Sequence, residues 1–200
     1  EAALANPKRK KYRLLVNQEW NKSYEVEGNE ITPEYVSRQD IERQLPLNAV
    51  HQGLALLVAP LSHVAIETIC SNASNNSVVI VLDQVTDPRN IGAIMRSAVA
   101  FGASAVIVTD KYTPETTAVM AKAASGALDS LPIARVTNLT RSLVLLKKAG
   151  FWLAGLDSNA DQTIVQANLN GKLAIILGAE GSGLRRLTSQ NCDYLVNIPI

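Results

Sequence analysis

From Val78 onward the chain repeats one pattern: a short, almost wholly apolar run, a polar turn, then a segment with helical spacing. The runs are Val78–Leu82, Ala105–Thr109, Ile133–Val136, Phe151–Leu156, Leu173–Leu177 and Tyr194–Ile198. They do not alternate apolar with polar residues, which is the signature of strands covered on both faces. Between them, Ile91, Ile94, Met95, Ala98 and Val99 form the stripe of an amphipathic helix. Thr113-Pro114-Glu115 reads as a second helix start, with Gly126 after its last turn. Asn138 caps a third helix, which closes on Lys147-Lys148-Ala149-Gly150 and so places cations at its negative end. Strand–helix alternation of this kind specifies an α/β fold with a parallel sheet.

The first 70 residues read as a separate mixed α/β domain. Tyr12–Val16 is a short strand, Thr32-Pro33-Glu34 a helix start, Ser37–Leu45 a helix and Leu54–Val58 a strand after His51-Gln52-Gly53. The polar, turn-prone segment 71–77 (Ser-Asn-Ala-Ser-Asn-Asn-Ser) reads as a linker, leaving 78–200 as the second domain. A chain that is 47% hydrophobic can bury a core and is not disordered. Its longest apolar run, Gly53 to Leu61, is about half of what a membrane span needs and holds Pro60. The opening stretch is polar and reaches Lys8-Arg9-Lys10-Lys11, unlike a secretory signal. Cys70 and Cys192 give neither a disulfide framework nor zinc spacing, and His51 and His63 lack cysteine partners. A cytoplasmic protein without metal or membrane is the expectation.

Net charge is only +1, but it is unevenly spread. Residues 1–22 hold six basic side chains against two acids, and residues 23–77 hold two against seven. The basic arm Lys8, Arg9, Lys10, Lys11 and Arg13 is a candidate RNA phosphate contact; a solvated chain end would look the same.

In open α/β sheets ligands bind beyond the carboxyl ends of the strands. Two such ends are distinctive here. The loop Asp83–Arg89 enters the first helix, where Asn90 stands at an N-cap-like position and Arg89 and Arg96 project from one side of the wheel. Two guanidinium groups near a helix start suit a phosphate. The other end, Gly178-Ala179-Glu180-Gly181-Ser182-Gly183, sets a carboxylate among three glycines. It is neither GxGxxG nor a P-loop. Glu180 could equally be a residue favoured by a helix start.

Asn90-Ile91-Gly92-Ala93-Ile94-Met95-Arg96-Ser97-Ala98, followed by Ala100-Phe101-Gly102, resembles the first motif of the SpoU (TrmH-type) RNA ribose 2′-O-methyltransferases. Leu177–Leu184 resembles their second motif, and Ile198-Pro199-Ile200 the start of the third. Ala5–Lys10 and Val50-His51-Gln52-Gly53 are similar to the RlmB-like branch, which methylates guanosine of large-subunit 23S rRNA. The resemblance implies a SPOUT fold, a parallel sheet with a trefoil knot, preceded by an L30e-like RNA-binding domain. It implies S-adenosylmethionine as cofactor, RNA as substrate and a homodimer. By motif position Asn90, Arg96 and Glu180 are catalytic, and Leu156, Gly178 and Ile198 hold the cofactor. The third motif's Ser-Leu-Asn segment and the C-terminal helix are not among the 200 residues. The expectation is therefore a fragment with an incomplete knot, clipped also before Glu1. A tRNA methyltransferase, or an RNA-binding module without catalysis, stays open as an alternative.

Overall fold

The computed structural model describes residues 2–19, 31–47 and 49–199. These divide into two compact units, residues 1–61 and 62–200. The first unit contains α1 (Ala2–Ala5), β1 (Lys11–Asn17), β2 (Pro33–Val36), α2 (Arg38–Gln44) and β3 (Leu54–Val58). Its sheet runs β2-β1-β3, with β2 parallel and β3 antiparallel to β1. Leu14, Leu15 and Val16 of the central strand are buried, as is Ile41 of α2, the helix that lies against β1. Ser37 caps α2 by accepting from the Asp40 N–H. The helix start expected at Thr32-Pro33-Glu34 is instead the entry to β2. Pro33 stands at the first position of an edge strand, where its missing N–H costs no ladder bond.

The second unit contains α3 (Ile66–Ser71), β4 (Val78–Leu82), α4 (Pro88–Ala100), β5 (Ala105–Thr109), α5 (Ala118–Ala124), α6 (Ala127–Ser130), β6 (Ile133–Val136), α7 (Leu139–Lys148), β7 (Trp152–Leu156), β8 (Leu173–Leu177), α8 (Arg186–Asn191) and β9 (Tyr194–Val196). Its six strands are all parallel in the order β6-β5-β4-β8-β7-β9, so every carboxyl end lies on one edge. On one face Val79, Val81, Ile107, Leu153 and Ile176 form a core with Leu143 and Leu146 of α7. Each fully buried side chain of this type contributes roughly 1.5–3 kcal/mol of transfer free energy. The other face carries α4, whose Ile91, Met95 and Ala98 are buried.

Three features depart from what the sequence predicts. The boundary falls at Leu61/Ser62 rather than at a 71–77 linker, because α3 buries Ile66 and Ile69 in the second unit's core. The helix expected at Thr113 begins at Ala118, capped by Thr117, because the 113–114 carbonyls are bonded by Arg135 instead of by a helical turn. The cap of α4 is Asp87, with Pro88 at the first helical position, not Asn90. No helix of the described residues is long and apolar enough to cross a membrane.

Candidate functional site

The site candidates of the second unit gather where β4 and β8, neighbours in the sheet, end. Leu82 lies opposite Leu177, and the Asp83 N–H continues the ladder to the Leu177 carbonyl at 2.8 Å. Gln84 then turns the chain with φ +63°, and Asp87 starts α4. Because Asp87 does the capping, the Asn90 side chain is left for another partner. Its Nδ2 donates to Glu180 Oε2 at 3.1 Å, joining residues 90 apart in sequence. Glu180 accepts only, so among the described residues the pairing leaves Asn90 Oδ1 as an unused acceptor.

The loop bearing Glu180 is closed on itself. Ala179 and Gly183 exchange both backbone bonds, at 3.1 and 2.9 Å. Gly178 is required there for close approach: a Cβ on it would stand 2.1 Å from the Gly183 carbonyl carbon. Asp83, wholly buried, holds the far end of this loop. It accepts from Arg185 Nε at 2.6 Å and from the Arg185 N–H at 3.1 Å. A buried carboxylate is tolerated only when paired and hydrogen-bonded in this way. Sequence reading assigned no role to Asp83 or Arg185. The available signal was an acid directly after a four-residue buried run.

Arg96 is exposed and takes no part in the Asn90–Glu180 hydrogen bond. Six residues separate it from Asn90, which is about 9 Å along a helix and 120° around it. Arg89 lies two turns before Arg96 on the same side and is exposed too. Asn90 instead shares its side of α4 with Ile94, Ser97 and Phe101, which line a cavity of about 490 Å³ with Ala98, Leu156, Ile175 and Leu177.

Leu156 ends β7, Gly178 directly follows β8 and Ile198 lies just past β9, three adjacent strands. Val196 pairs with Leu156, and the segment after it is clasped from outside. The Asn197 N–H donates to the Gln162 carbonyl, and the Ile164 N–H to the Asn197 carbonyl, both at 2.9 Å. Backbone groups beside half-buried leucines offer what an adenine ring and a methionine tail require: amides for the base edges and apolar walls. The donor set fits S-adenosylmethionine.

The basic arm is less uniform than its sequence suggests. Arg13 spends its guanidinium on Glu34, with Nη2–Oε2 at 2.7 Å and Nε at 2.9 and 3.0 Å from the two oxygens. That hydrogen bond holds the Glu34 carboxyl below its ordinary pKa and raises that of Arg13. Arg13 thus already has a partner, although an exposed pair of this kind holds it only weakly. Lys8 and Lys10 are exposed, Lys10 Nζ lying 5.3 Å from the Tyr12 ring, while Arg9 and Lys11 are half-buried. His51-Gln52-Gly53 forms a turn in which His51 Nδ1 accepts from the Gly53 N–H at 3.1 Å. Burial pushes the Cys192 thiol up to about 11 and raises that of Cys70. Among the described residues no three His, Cys, Asp or Glu side chains gather into a metal site.

An all-parallel sheet with a polar Asn–Glu pair and a glycine-braced loop at its carboxyl edge is the frame of an α/β ligand-binding enzyme. The model of the SpoU rRNA Methylase family matches residues 77–200, and the chain belongs to that family. It is 42% identical over 174 residues to the 23S rRNA (guanosine-2′-O-)-methyltransferase RlmB of Pasteurella multocida, covering 85% of this chain and 70% of that protein. It is 39% identical over 160 residues to an uncharacterised tRNA/rRNA methyltransferase of Synechocystis, covering 78% of this chain and 42% of that one. The fold matches the SpoU methyltransferase AviRb of Streptomyces viridochromogenes, solved with AdoMet. The TM-score is 0.79 at 22% identity, over 100% of this chain and 77% of that one.

Proposed function

We propose that the chain transfers a methyl group from S-adenosylmethionine to a ribose 2′-hydroxyl, that of a guanosine in 23S rRNA. The observation that carries this reading is the Asn90–Glu180 hydrogen bond, which joins the two family motifs at one point of the sheet edge. The 42% identity to an enzyme named for that substrate supports the choice of rRNA over tRNA.

S-adenosylmethionine supplies an electrophilic methyl on a sulfonium when bound. Leu156, Gly178 and Ile198 hold it through the ends of three adjacent strands. The chain's own residues align the hydroxyl and manage its proton. Glu180 fixes the Asn90 amide, and Asn90 Oδ1 accepts from the attacking 2′-hydroxyl. The arginine guanidinium is a permanent cation with donors and no acceptor, so Arg96 suits an anion rather than the work of a base. Its place about 9 Å along α4 from Asn90 suits a phosphate of the target nucleotide rather than the reacting oxygen. There Arg96 clamps the backbone, and the hydroxyl proton, oriented by Asn90 Oδ1, passes to solvent water as the oxygen takes up the methyl.

The mixed sheet β2-β1-β3 with its basic arm supports reading the first unit as an L30e-like RNA-binding domain. The clasp of Asn197 by the 162–164 segment, directly after Val196 pairs with β7, supports a trefoil knot. The apolar cavity beside α4, rimmed by Phe101 at 89% exposure, supports a homodimer. Two unpaired cysteines support a cytoplasmic setting.

Transfer of labelled methyl from S-adenosylmethionine to 23S rRNA, mapped to a guanosine 2′-oxygen, tests the reading. Arg96→Ala should abolish transfer and leave cofactor affinity unchanged by calorimetry. Loss of cofactor affinity in that variant would remove Arg96 from the RNA side of the site.

A further inference from the structure

The loop after β5, residues 110–117, leaves the same sheet edge as the loop after β4, which leads into α4 with Arg89 and Asn90 in its first turn. Leu82 stands opposite Val108, so both loops start at one level. The β5 loop is held by Arg135, near the end of β6, whose side chain is only 13% exposed. Arg135 Nη2 donates to the carbonyls of Thr113 at 3.2 Å and Pro114 at 2.6 Å. Its Nη1 lies 3.6 Å from Asp110 Oδ1 and 3.8 Å from Glu115 Oε1. The Thr113 N–H adds a bond to the Thr109 carbonyl at 3.2 Å. A largely buried guanidinium thus spends its donors and charge on one surface loop.

Lys111 and Tyr112 lie between these fixed points and take no part in fixing them. Lys111 is exposed and Tyr112 is 40% exposed, with Lys111 Nζ 5.5 Å from the tyrosine ring centroid. Among the described residues Lys111 makes no ion pair, and neither do Arg89 in the first turn of α4 or Arg186 at the start of α8. An exposed ring on a rigid loop, with unpaired cations along the same edge, is the chemistry that binds unpaired nucleotides. Bases stack on the ring and phosphates meet the cations. The clamp matters because a loop already ordered loses little entropy on binding.

We infer that Tyr112 and Lys111 form a subsite for the nucleotide flanking the one that is methylated. Tyr112 stacks the base and Lys111 holds the adjoining phosphate. The location of the subsite in the reaction rests on the methyltransferase reading; its affinity for RNA does not. The test is fluorescence anisotropy of the full chain with a labelled RNA hairpin carrying an unpaired loop. Tyr112→Ala should weaken binding by about tenfold or more, as loss of one stacked base does. Tyr112→Phe should bind as the wild type does. Lys111→Ala should lower the slope of log affinity against log salt by about one. Unfolding midpoints equal to wild type would confirm that the exposed substitutions leave the fold intact. Wild-type affinity in Tyr112→Ala would overturn the inference, and so would a loss in Tyr112→Phe as large as in alanine. A wild-type chain that binds no RNA at low salt would overturn it as well. Tyr112-dependent binding without methyl transfer would instead count against the proposed activity and leave the subsite standing.

Discussion

Asp83 and Arg185 sit 102 residues apart, and their pairing fixes the loop that carries Glu180. Asp83 has no exposure, whereas the Arg185 side chain is 41% exposed. The two ends of the pair therefore differ in what their loss leaves behind. Arg185→Met keeps the aliphatic stem and the backbone N–H bond but takes the counter-charge from a buried carboxylate, which costs about 3 kcal/mol. Arg185 freed by Asp83→Asn can turn to water, and the amide oxygen still accepts one bond, so that variant should lose less. Urea unfolding of the two variants checks the order; an equal loss would mean the stranded charge is not what the pair guards against. The same residues mark the limit of reading single positions. Asn90, Arg96 and Glu180 were all legible as candidates from two motifs. The Asn90–Glu180 contact was not, because an N-cap preference explains an asparagine before a helix until Asp87 is seen to fill that place. Arg13 likewise read as an open cation because Glu34, its partner, comes from a different strand.

At the scale of elements the parallel sheet was legible almost strand by strand. Burial on both faces leaves no solvent-facing position to interrupt an apolar run, so β4, β5, β6 and β8 coincide with the runs read from the sequence. Helix starts were less secure. Thr-Pro-Glu occurs twice, at residues 32 and 113, and neither opens a helix. The first feeds an edge strand and the second is held open by Arg135, both tertiary contacts that local propensity cannot report. Gly92 shows the same override with a testable sign. Propensity alone says that Gly→Ala inside a helix stabilises by about 1 kcal/mol. A Cβ at Gly92, however, would meet the Met120 carbonyl oxygen at 2.5 Å, the Ala123 Cβ at 2.7 Å and the Ala124 N at 2.9 Å. Two of these are backbone atoms of α5 and cannot swing aside. Gly92→Ala should therefore destabilise by about 1–3 kcal/mol as α4 and α5 are forced apart. In a chain of this size that lowers the melting temperature by roughly 2–4 °C per kcal/mol. A raised melting temperature would show that the helices have slack, and that this motif glycine is needed for something other than packing.

For the molecule as a whole, the division into two units was legible but its position was not. Polar composition drew the boundary into 71–77, while the apolar face of α3 belongs to the second core. The larger consequence concerns the face of α4 that no described residue covers. Ile94 and Phe101 overhang a cavity whose walls are Leu156, Ile175 and Leu177, and an apolar opening of this kind marks an interaction surface. If a second copy covers it, Phe101→Asp buries a charge at the contact. The variant should sediment as a monomer at concentrations where the wild type is a dimer. Because Phe101 is 89% exposed in the single chain, the variant should keep the wild-type unfolding curve of a monomer. Salt separates this contact from the RNA contacts. Affinity for RNA arises from released counterions and falls steeply as sodium chloride rises. Burial of apolar surface has no such dependence and is strengthened by sulfate. Raising sodium chloride should strip RNA from the protein and leave the dimer intact, and sulfate should tighten it. A dimer that dissociates in step with RNA release would place self-association on charged groups, away from the Phe101 face.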